Sequence, residues 1–127
     1  MTGAHAVRLA RVYDGRSPFD GQRILVDRIW PRGLSRAGAD LDSWCKAIAP
    51  STELRRWYAH VPARFTAFRE RYLAELREPD RAAALEELRA AAGQGDITLL
   101  TATKQIAISH AAVLAEQLRR SGPELPV

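Results

Sequence analysis

The segment DRIWPRG, residues 27–33, holds the side chains of this sequence that are best suited to bind an anion. It places the guanidinium groups of Arg28 and Arg32 beside an aromatic residue, a proline and a glycine. A guanidinium group stays charged and binds carboxylate or phosphate oxygens through paired hydrogen bonds. We therefore expect Arg28 and Arg32 to bind a phosphate- or carboxylate-bearing ligand.

A second polar segment, TATK at residues 101–104, precedes the last part of the chain. Thr101 and Thr103 supply hydroxyl groups that we predict to contact the same ligand, and Lys104 adds a positive charge. A lysine amine or a histidine ring can also accept and release a proton when its pKa lies near neutrality. If the protein is an enzyme, we therefore expect Lys104 or His110 to transfer the catalytic proton.

Glu53 and Arg55 complete the predicted site as orienting partners that contact the ligand. Arg28 could instead have a structural role and pair with Asp27 or Glu53, because buried arginines usually have a partner. A structural role is also an alternative for His110, since a lone helical histidine is more often structural than catalytic.

Both polar segments follow apolar runs that are typical of strands. We predict strands over residues 7–14, 23–29 and 96–101. The unbroken run Ile24-Leu25-Val26 indicates a strand near the centre of the sheet with both faces covered. Open α/β sheets bind ligands beyond the carboxyl ends of their strands, so parallel strands would bring the two segments together.

The first two strands are joined by only about nine residues, too few for the usual helical crossover between parallel neighbours. They are therefore either antiparallel neighbours or not adjacent. Helices are predicted over residues 41–48 with Asp40 as N-cap, over 52–58, over 64–78, from Pro79 to about residue 92, and over about 105–120. The predicted fold is one compact α/β domain, a short mixed or parallel sheet of about three strands with five or so helices, spanning residues 7–120 before an irregular tail at 121–127.

The composition of the chain argues against several classes of protein. The 127 residues carry no apolar run near the roughly 20 residues of a membrane-spanning helix, and no secretory signal is recognisable, so a cytoplasmic location is expected. The single cysteine, Cys45, lies among apolar residues and is interpreted as a packing residue. Neither a metal site nor a cofactor motif is present in the sequence, and no cofactor is predicted. The oligomeric state is not predicted.

The net charge of +4 favours anionic partners, and residues 1–60 hold ten basic against six acidic side chains. A nucleic-acid or regulatory binding module is therefore an alternative function. It would need a continuous basic face, for which the sequence offers Arg8, Arg11, Arg16, Arg23 and Arg36. In a third interpretation, the charged residues form a structural ion-pair network and the function lies at a partner interface.

Five segments, in order, resemble the YeaO-like branch of the bacterial family known as domain of unknown function 488: VYD, RILVDRIWPRGLS, LDSWCKAIAPSTELRRWY, FRERYLAEL and ITLLTATKQIAISHAAVLAEQL. The similarity covers about residues 7 to 120. It implies a small cytosolic protein with a compact α/β domain, and no particular reaction.

The resemblance also marks positions that recur in the family. Those matched here are Asp27, Arg28, Trp30, Pro31, Arg32, Gly33, Trp44, Pro50, Ser51, Glu53, Leu54, Arg55, Phe68, Arg71, Tyr72, Lys104 and His110. The chain departs from the pattern at Thr101, where the family commonly has tyrosine, and at Ser109, where asparagine is frequent. Another branch carries Cys-His-Arg near the last segment. Since this chain has Ser109-His110-Ala111, the thiol chemistry of that branch is not implied.

Overall fold

Four parallel strands form the central sheet. The computed structural model describes residues 5–120, with strands β1 (Val7–Arg11), β2 (Gln22–Leu25), β3 (Ser43–Trp44) and β4 (Ile97–Thr101). Their order is β1-β4-β2-β3, and every neighbouring pair is parallel. The predicted α/β class is confirmed, with a fully parallel sheet and one strand more than expected. The predicted tail at 121–127 lies outside the described residues.

The two apolar runs of the sequence form the inner strands. Leu99 on β4 is in register with Leu9 on one side and with Ile24 on the other. Because β4 lies between β1 and β2, these strands are not adjacent, which is one of the two arrangements that their short connection allowed. The carboxyl ends of β2 and β4 therefore meet at one edge of the sheet.

Helices and short turns pack around this sheet. The α-helices are α1 (Arg36–Ala39), α2 (Thr52–Tyr58), α3 (Phe65–Glu75), α4 (Pro79–Gln94) and α5 (His110–Arg119). Single 3₁₀ turns lie at Lys46–Ile48, Pro62–Arg64 and Ile106–Ile108. No helix among residues 5–120 has the length and apolar character needed to span a membrane.

Each face of the sheet packs against its own apolar cluster. Ile24 and Val26 belong to the larger cluster, with residues from α2, α3, α4 and α5, whereas Leu25 belongs to a smaller one containing Ala39 of α1. Alternate residues of a strand point to opposite faces, so an unbroken apolar run indicates burial on both. The aromatic stripe of α3 is part of the larger cluster, where Phe68 stacks on Tyr58 with ring centroids 4.2 Å apart.

The helix predicted over residues 41–48 was wrong. Asp40 follows α1 in a left-handed conformation (φ 50°) instead of capping a new helix. Beyond it, the backbone N–H groups of Asp42 and Cys45 donate to the carbonyls of Arg23 and Leu25. These bonds add β3 to the edge of the sheet, and only the 3₁₀ turn at Lys46–Ile48 remains helical. Backbone pairing with β2 overrides the local helical pattern.

The last helix also starts later than predicted. Residues Ile106–Ile108 form a 3₁₀ turn, and Ser109 then acts as N-cap by accepting a hydrogen bond from the Ala112 N–H. His110 consequently occupies the first position of α5 instead of its second turn. His110 therefore lies beside the edge of the sheet where β2 and β4 end, and its ring contacts the Val26 carbonyl.

Arg23 is a structural residue, contrary to its place in the proposed basic face. Its side chain is fully buried and donates 2.9 Å hydrogen bonds to Asp20 Oδ2 and to the Asp40 carbonyl, and 3.0 Å bonds to the carbonyls of Asp14 and Ala39. A buried guanidinium requires such partners, because an unpaired buried charge is strongly destabilising. Arg23 thus ties β2 to the loops on both sides.

Replacing Arg23 by methionine should lower the free energy of unfolding by about 3–5 kcal/mol, since Asp20 would remain buried without its partner. Urea denaturation at neutral pH measures this loss, with Arg77→Met as the control, because Arg77 is exposed. The added substitution Asp20→Leu should restore part of the stability. Equal unfolding curves for Arg23→Met and the wild type would contradict the assignment.

Candidate functional site

The two polar segments of the sequence meet at the carboxyl edge of the sheet, where the carboxylate of Asp27 joins them. Asp27 Oδ1 accepts a 2.7 Å hydrogen bond from the Thr101 hydroxyl, and Oδ2 accepts a 2.8 Å bond from the Ala102 N–H. The Thr103 hydroxyl lies 3.2 Å from that of Thr101. The predicted convergence of the loops after β2 and β4 is therefore present.

His110 contacts the same carboxylate from the start of α5. Its Nε2 lies 3.0 Å from the Val26 carbonyl and 3.4 Å from Asp27 Oδ1. Both neighbours are hydrogen-bond acceptors, so Nε2 carries a hydrogen. The ring also packs edge-on against Tyr72, at 6.1 Å between centroids. His110 is thus held in one orientation by the end of β2 and by the core.

The surroundings of Asp27 keep it ionised. Burial alone would raise the pKa of this carboxyl group. The hydrogen bond and charge of His110 act in the opposite direction, with help from the Ala102 N–H and the Thr101 hydroxyl, and together they lower the pKa of Asp27 below its ordinary value. At neutral pH the carboxylate is a fixed negative charge whose hydrogen bonds are made within the protein.

A cleft of about 580 Å³ opens between this edge and α2. Its positively charged and imidazole side chains come from four parts of the chain: Arg28, Arg55, Arg56, His60 and His110. Its apolar wall includes Ile29, Pro50, Tyr58 and Phe68. The Tyr58 hydroxyl donates a 2.6 Å hydrogen bond to the Ile108 carbonyl, which fixes α2 against the segment before α5.

The arginines of this cleft lack acidic partners. Within residues 5–120, no carboxylate lies within ion-pair distance of Arg28, Arg55 or Arg56. Arg55 donates to the Pro50 carbonyl at 3.3 Å and to the Thr52 hydroxyl at 3.0 Å, which orients its guanidinium group. Arg28 is exposed. The cleft therefore has an unneutralised positive charge.

A second cleft, of about 540 Å³, adjoins the first. Lys104 and Gln105 belong to this cleft alone, whereas Asp27, His60 and Thr103 line both. Lys104 is exposed and, among residues 5–120, pairs with no carboxylate. The cations of the two polar segments thus lie in neighbouring clefts with a common wall.

Three predicted site residues line neither cleft. Arg32 is exposed and lines neither cleft, and its carbonyl accepts a 3.0 Å hydrogen bond from the Tyr13 hydroxyl. Glu53 is exposed on α2 outside both clefts. Thr101 is buried and its hydroxyl is bound to Asp27, so its role here is to position the carboxylate. The structure brings together Arg28, Arg55, Thr103, Lys104 and His110.

The alternatives for the DRIWPRG segment are resolved in part. Asp27 binds Thr101 and His110 instead of Arg28, so the proposed ion pair between Asp27 and Arg28 does not form. Trp30 forms a packed turn, because its Nε1 donates a 2.7 Å bond to the Leu34 carbonyl and its ring meets that of Trp44 edge-on at 5.3 Å. The turn stiffens the loop that carries Arg28.

Sequence reasoning missed Asp27, Arg56 and His60 as site residues. The sequence position of Asp27 could have placed it in the site, since an acidic residue directly after a buried strand lies at the ligand-facing edge of a parallel sheet. No sequence feature places His60 there, because its position depends on a turn in which Ala59 (φ 48°) and His60 (φ 58°) are both left-handed. Such conformations are costly for residues with a Cβ and are frequent at functional sites.

Metal binding and thiol chemistry find no support in this site. Among residues 5–120, no three His, Cys, Asp or Glu side chains lie close enough to hold a metal ion. Cys45 is half-buried against the larger core cluster, and burial raises the pKa of its thiol. Cys45 is consistent with the packing role predicted from its neighbours.

The fold and the site together define a small α/β domain with a cationic cleft at the carboxyl edge of a parallel sheet. The chain belongs to the DUF488 family: residues 6–123 match a family model described as "Inactive DUF488-N3 subclade". It is 53% identical over 112 residues to uncharacterized protein Rv3073c of Mycobacterium tuberculosis strain H37Rv, covering 88% of this chain and 92% of the relative. It is 42% identical over 113 residues to uncharacterized protein YeaO of Escherichia coli K12, covering 89% and 96%. No solved structure matches the chain.

The substitution Asp27→Asn should destabilise the fold by about 1–3 kcal/mol at neutral pH, because an amide cannot accept every hydrogen bond that the carboxylate accepts. The folded-state pKa of Asp27 is lowered, so its contribution is complete above the ordinary carboxyl value of 3.8 and is lost as the pH falls through the lowered value. The stability difference between wild type and Asp27→Asn should therefore shrink in acid. Urea denaturation across this range measures it.

The control for this prediction is Glu87→Gln, which makes the same change of charge at an exposed position of α4. We expect its stability difference from the wild type to be small and to vary little with pH. A difference for Asp27→Asn that is constant from neutral to acid pH would contradict the role of the carboxylate charge.

Proposed function

We propose that this protein is an anion-binding domain that binds a small molecule with a phosphate or carboxylate group in the first cleft. The observation that carries the proposal is the set of three arginines that line one cleft and have no acidic partner among residues 5–120: Arg28, Arg55 and Arg56. Its volume of about 580 Å³ lies within the range of small-molecule sites. The apolar wall would contact the body of the ligand, while the guanidinium groups bind its charge.

Charge distribution supports an anion in preference to a cation or a neutral ligand. Asp27 is the acidic side chain in the lining of the first cleft, and its oxygens already accept hydrogen bonds from Thr101 and Ala102. An anion near Arg28 and Arg55 would supply the negative charge that these side chains lack. Arg55 is already oriented by Pro50 and Thr52, which reduces the entropy lost on binding.

Proton transfer at this site is the second candidate function, and the pair of Asp27 and His110 favours it. With Nε2–H directed at Val26 and Asp27, a neutral His110 ring carries its lone pair on Nδ1, and Lys104 is the other predicted proton carrier. Binding without catalysis is the better-supported function, because the matching family model is described as inactive.

Nucleic acid is a weaker candidate partner. Of the residues proposed for a basic face, Arg8 pairs with Asp96, Arg16 with Asp40 and Asp42, and Arg23 with Asp20. Arg36 lies over the Trp30 ring, 4.1 Å from its centroid. The ion pairs of Arg8, Arg16 and Arg23 neutralise much of the face that phosphate binding would require. A location in the cytoplasm of a bacterial cell remains part of the proposal.

Arg28→Ala should weaken binding of a phosphate-bearing ligand by about 10- to 100-fold, the loss expected for charged hydrogen bonds worth about 1.5–3 kcal/mol. Ligands are first selected by thermal shift among inorganic phosphate, phosphorylated metabolites and dicarboxylates, and Kd values are then measured by calorimetry. Arg32→Ala is the matched control, since it removes the same charge from the same loop outside the cleft. Equal losses in both variants, or none, would contradict the proposed site.

His60 is also proposed to contact the ligand, because it lines both clefts. Glycine tolerates the left-handed conformation, so His60→Gly and Ala59→Gly should each stabilise the fold, by about 1 kcal/mol. Only His60→Gly should weaken ligand binding, by about three- to tenfold, the loss of one hydrogen bond. Thermal denaturation and calorimetry on both variants separate these effects, and unchanged affinity in His60→Gly would remove this residue from the site.

A further inference from the structure

The second cleft, like the first, combines an unpaired positive side chain with the carboxylate of Asp27, but it has one cation where the first has three. Lys104 is an exposed cation without an acidic partner among residues 5–120, and Asp27 is the acidic side chain lining this cleft, as it is in the first. A cleft of about 540 Å³ exceeds what a bound phosphate needs. The second cleft therefore has the charge and the space for an anionic group of its own.

We propose that one ligand occupies both clefts, with one anionic group bound by Arg28 and Arg55 and a second bound by Lys104. This inference rests on the proposed anion-binding function and specifies its ligand class. Asp27, His60 and Thr103 line both clefts, and His60 is exposed, so a molecule that passes over the His60 ring can reach both clefts. Linking two anionic groups makes binding of the second intramolecular, which raises affinity without a new contact.

The shared wall also specifies the middle of the ligand. Asp27 keeps its negative charge at neutral pH, because its pKa is lowered by His110 and the neighbouring donors, which outweigh the effect of burial. A negative group placed beside it would be repelled. The hydroxyl of Thr103 and the ring of His60 lie in the same wall and offer hydrogen bonds. The ligand is thus a molecule with two anionic ends and an uncharged body, as in a bisphosphorylated polyol or a long dicarboxylate.

A series of linear α,ω-bisphosphonates tests this inference, each compared by calorimetry with the alkylphosphonate of the same chain length. In the wild type the bisphosphonate should bind at least about tenfold more tightly at one preferred length, with smaller gains for shorter and longer chains. Lys104→Ala should abolish the gain, so that each bisphosphonate binds no more tightly than the alkylphosphonate of the same length. Arg28→Ala should weaken both series.

Lys46→Ala is the control, because Lys46 and Lys104 are the two lysines of the chain and Lys46 lines neither cleft. It removes the same charge and should preserve the length-dependent gain. A gain that is absent, independent of length, or retained in Lys104→Ala would overturn the inference, while Arg28-dependent alkylphosphonate binding would leave the proposed function intact. Failure of both series to bind would overturn the inference and the proposed function together.

Discussion

The carboxylate of Asp27 is the group on which the arrangement of this site depends. It lies directly after the run that forms β2 and receives hydrogen bonds from Thr101 and Ala102 at the end of β4. A half-buried charge is tolerated only with such partners, so the two loops are held together whenever the domain is folded. His110 adds a contact from α5. The clefts are consequently formed before any ligand arrives.

This arrangement has a direct effect on the neighbouring arginine. Because Asp27 is satisfied by donors from β4 and α5, it does not neutralise Arg28, which stays exposed at the mouth of the first cleft. Some arginines of the described chain are paired, for example Arg23 with Asp20 in the interior and Arg69 with Glu116 between α3 and α5. Arg32 and Arg77 are likewise unpaired among residues 5–120 and line neither cleft, whereas Arg28, Arg55 and Arg56 lie together in one cleft. This grouping supports the proposed anionic ligand.

The parallel sheet and the position of the site were predictable from the sequence for the same physical reason. Apolar runs at Ile24-Leu25-Val26 and in β4 require cover on both faces, and parallel inner strands place their following loops at one edge. The edge strand at Ser43–Trp44 was not predictable, since it has two residues and forms through backbone bonds to β2. Its spacing of apolar side chains fitted a helix equally well.

Residue roles within the site were less predictable than its location. Adjacent charges such as Asp27 and Arg28 look like a local ion pair, and only the tertiary contacts of Thr101 and His110 show that the carboxylate points to the neighbouring strand. Arg23 looked like a surface cation for a similar reason. A basic residue at the start of a strand is buried only if the surrounding loops supply carbonyls and a carboxylate, as the loop before β2 and the end of α1 do here.

The start of α5 is held by hydrogen bonds of Ser109 and His110. The Ser109 hydroxyl caps this helix: it donates to the Ile106 carbonyl at 2.7 Å and accepts from the Ala112 N–H at 3.3 Å. His110 Nε2 is directed at Val26 and Asp27, so it does not activate this hydroxyl. Because the hydroxyl proton is directed at the Ile106 carbonyl, the contacts of Ser109 hold the start of α5 in place. These contacts fix the start of α5 beside the two clefts, so the proposed anionic ligand would meet a preformed site and lose less free energy to ordering of the protein.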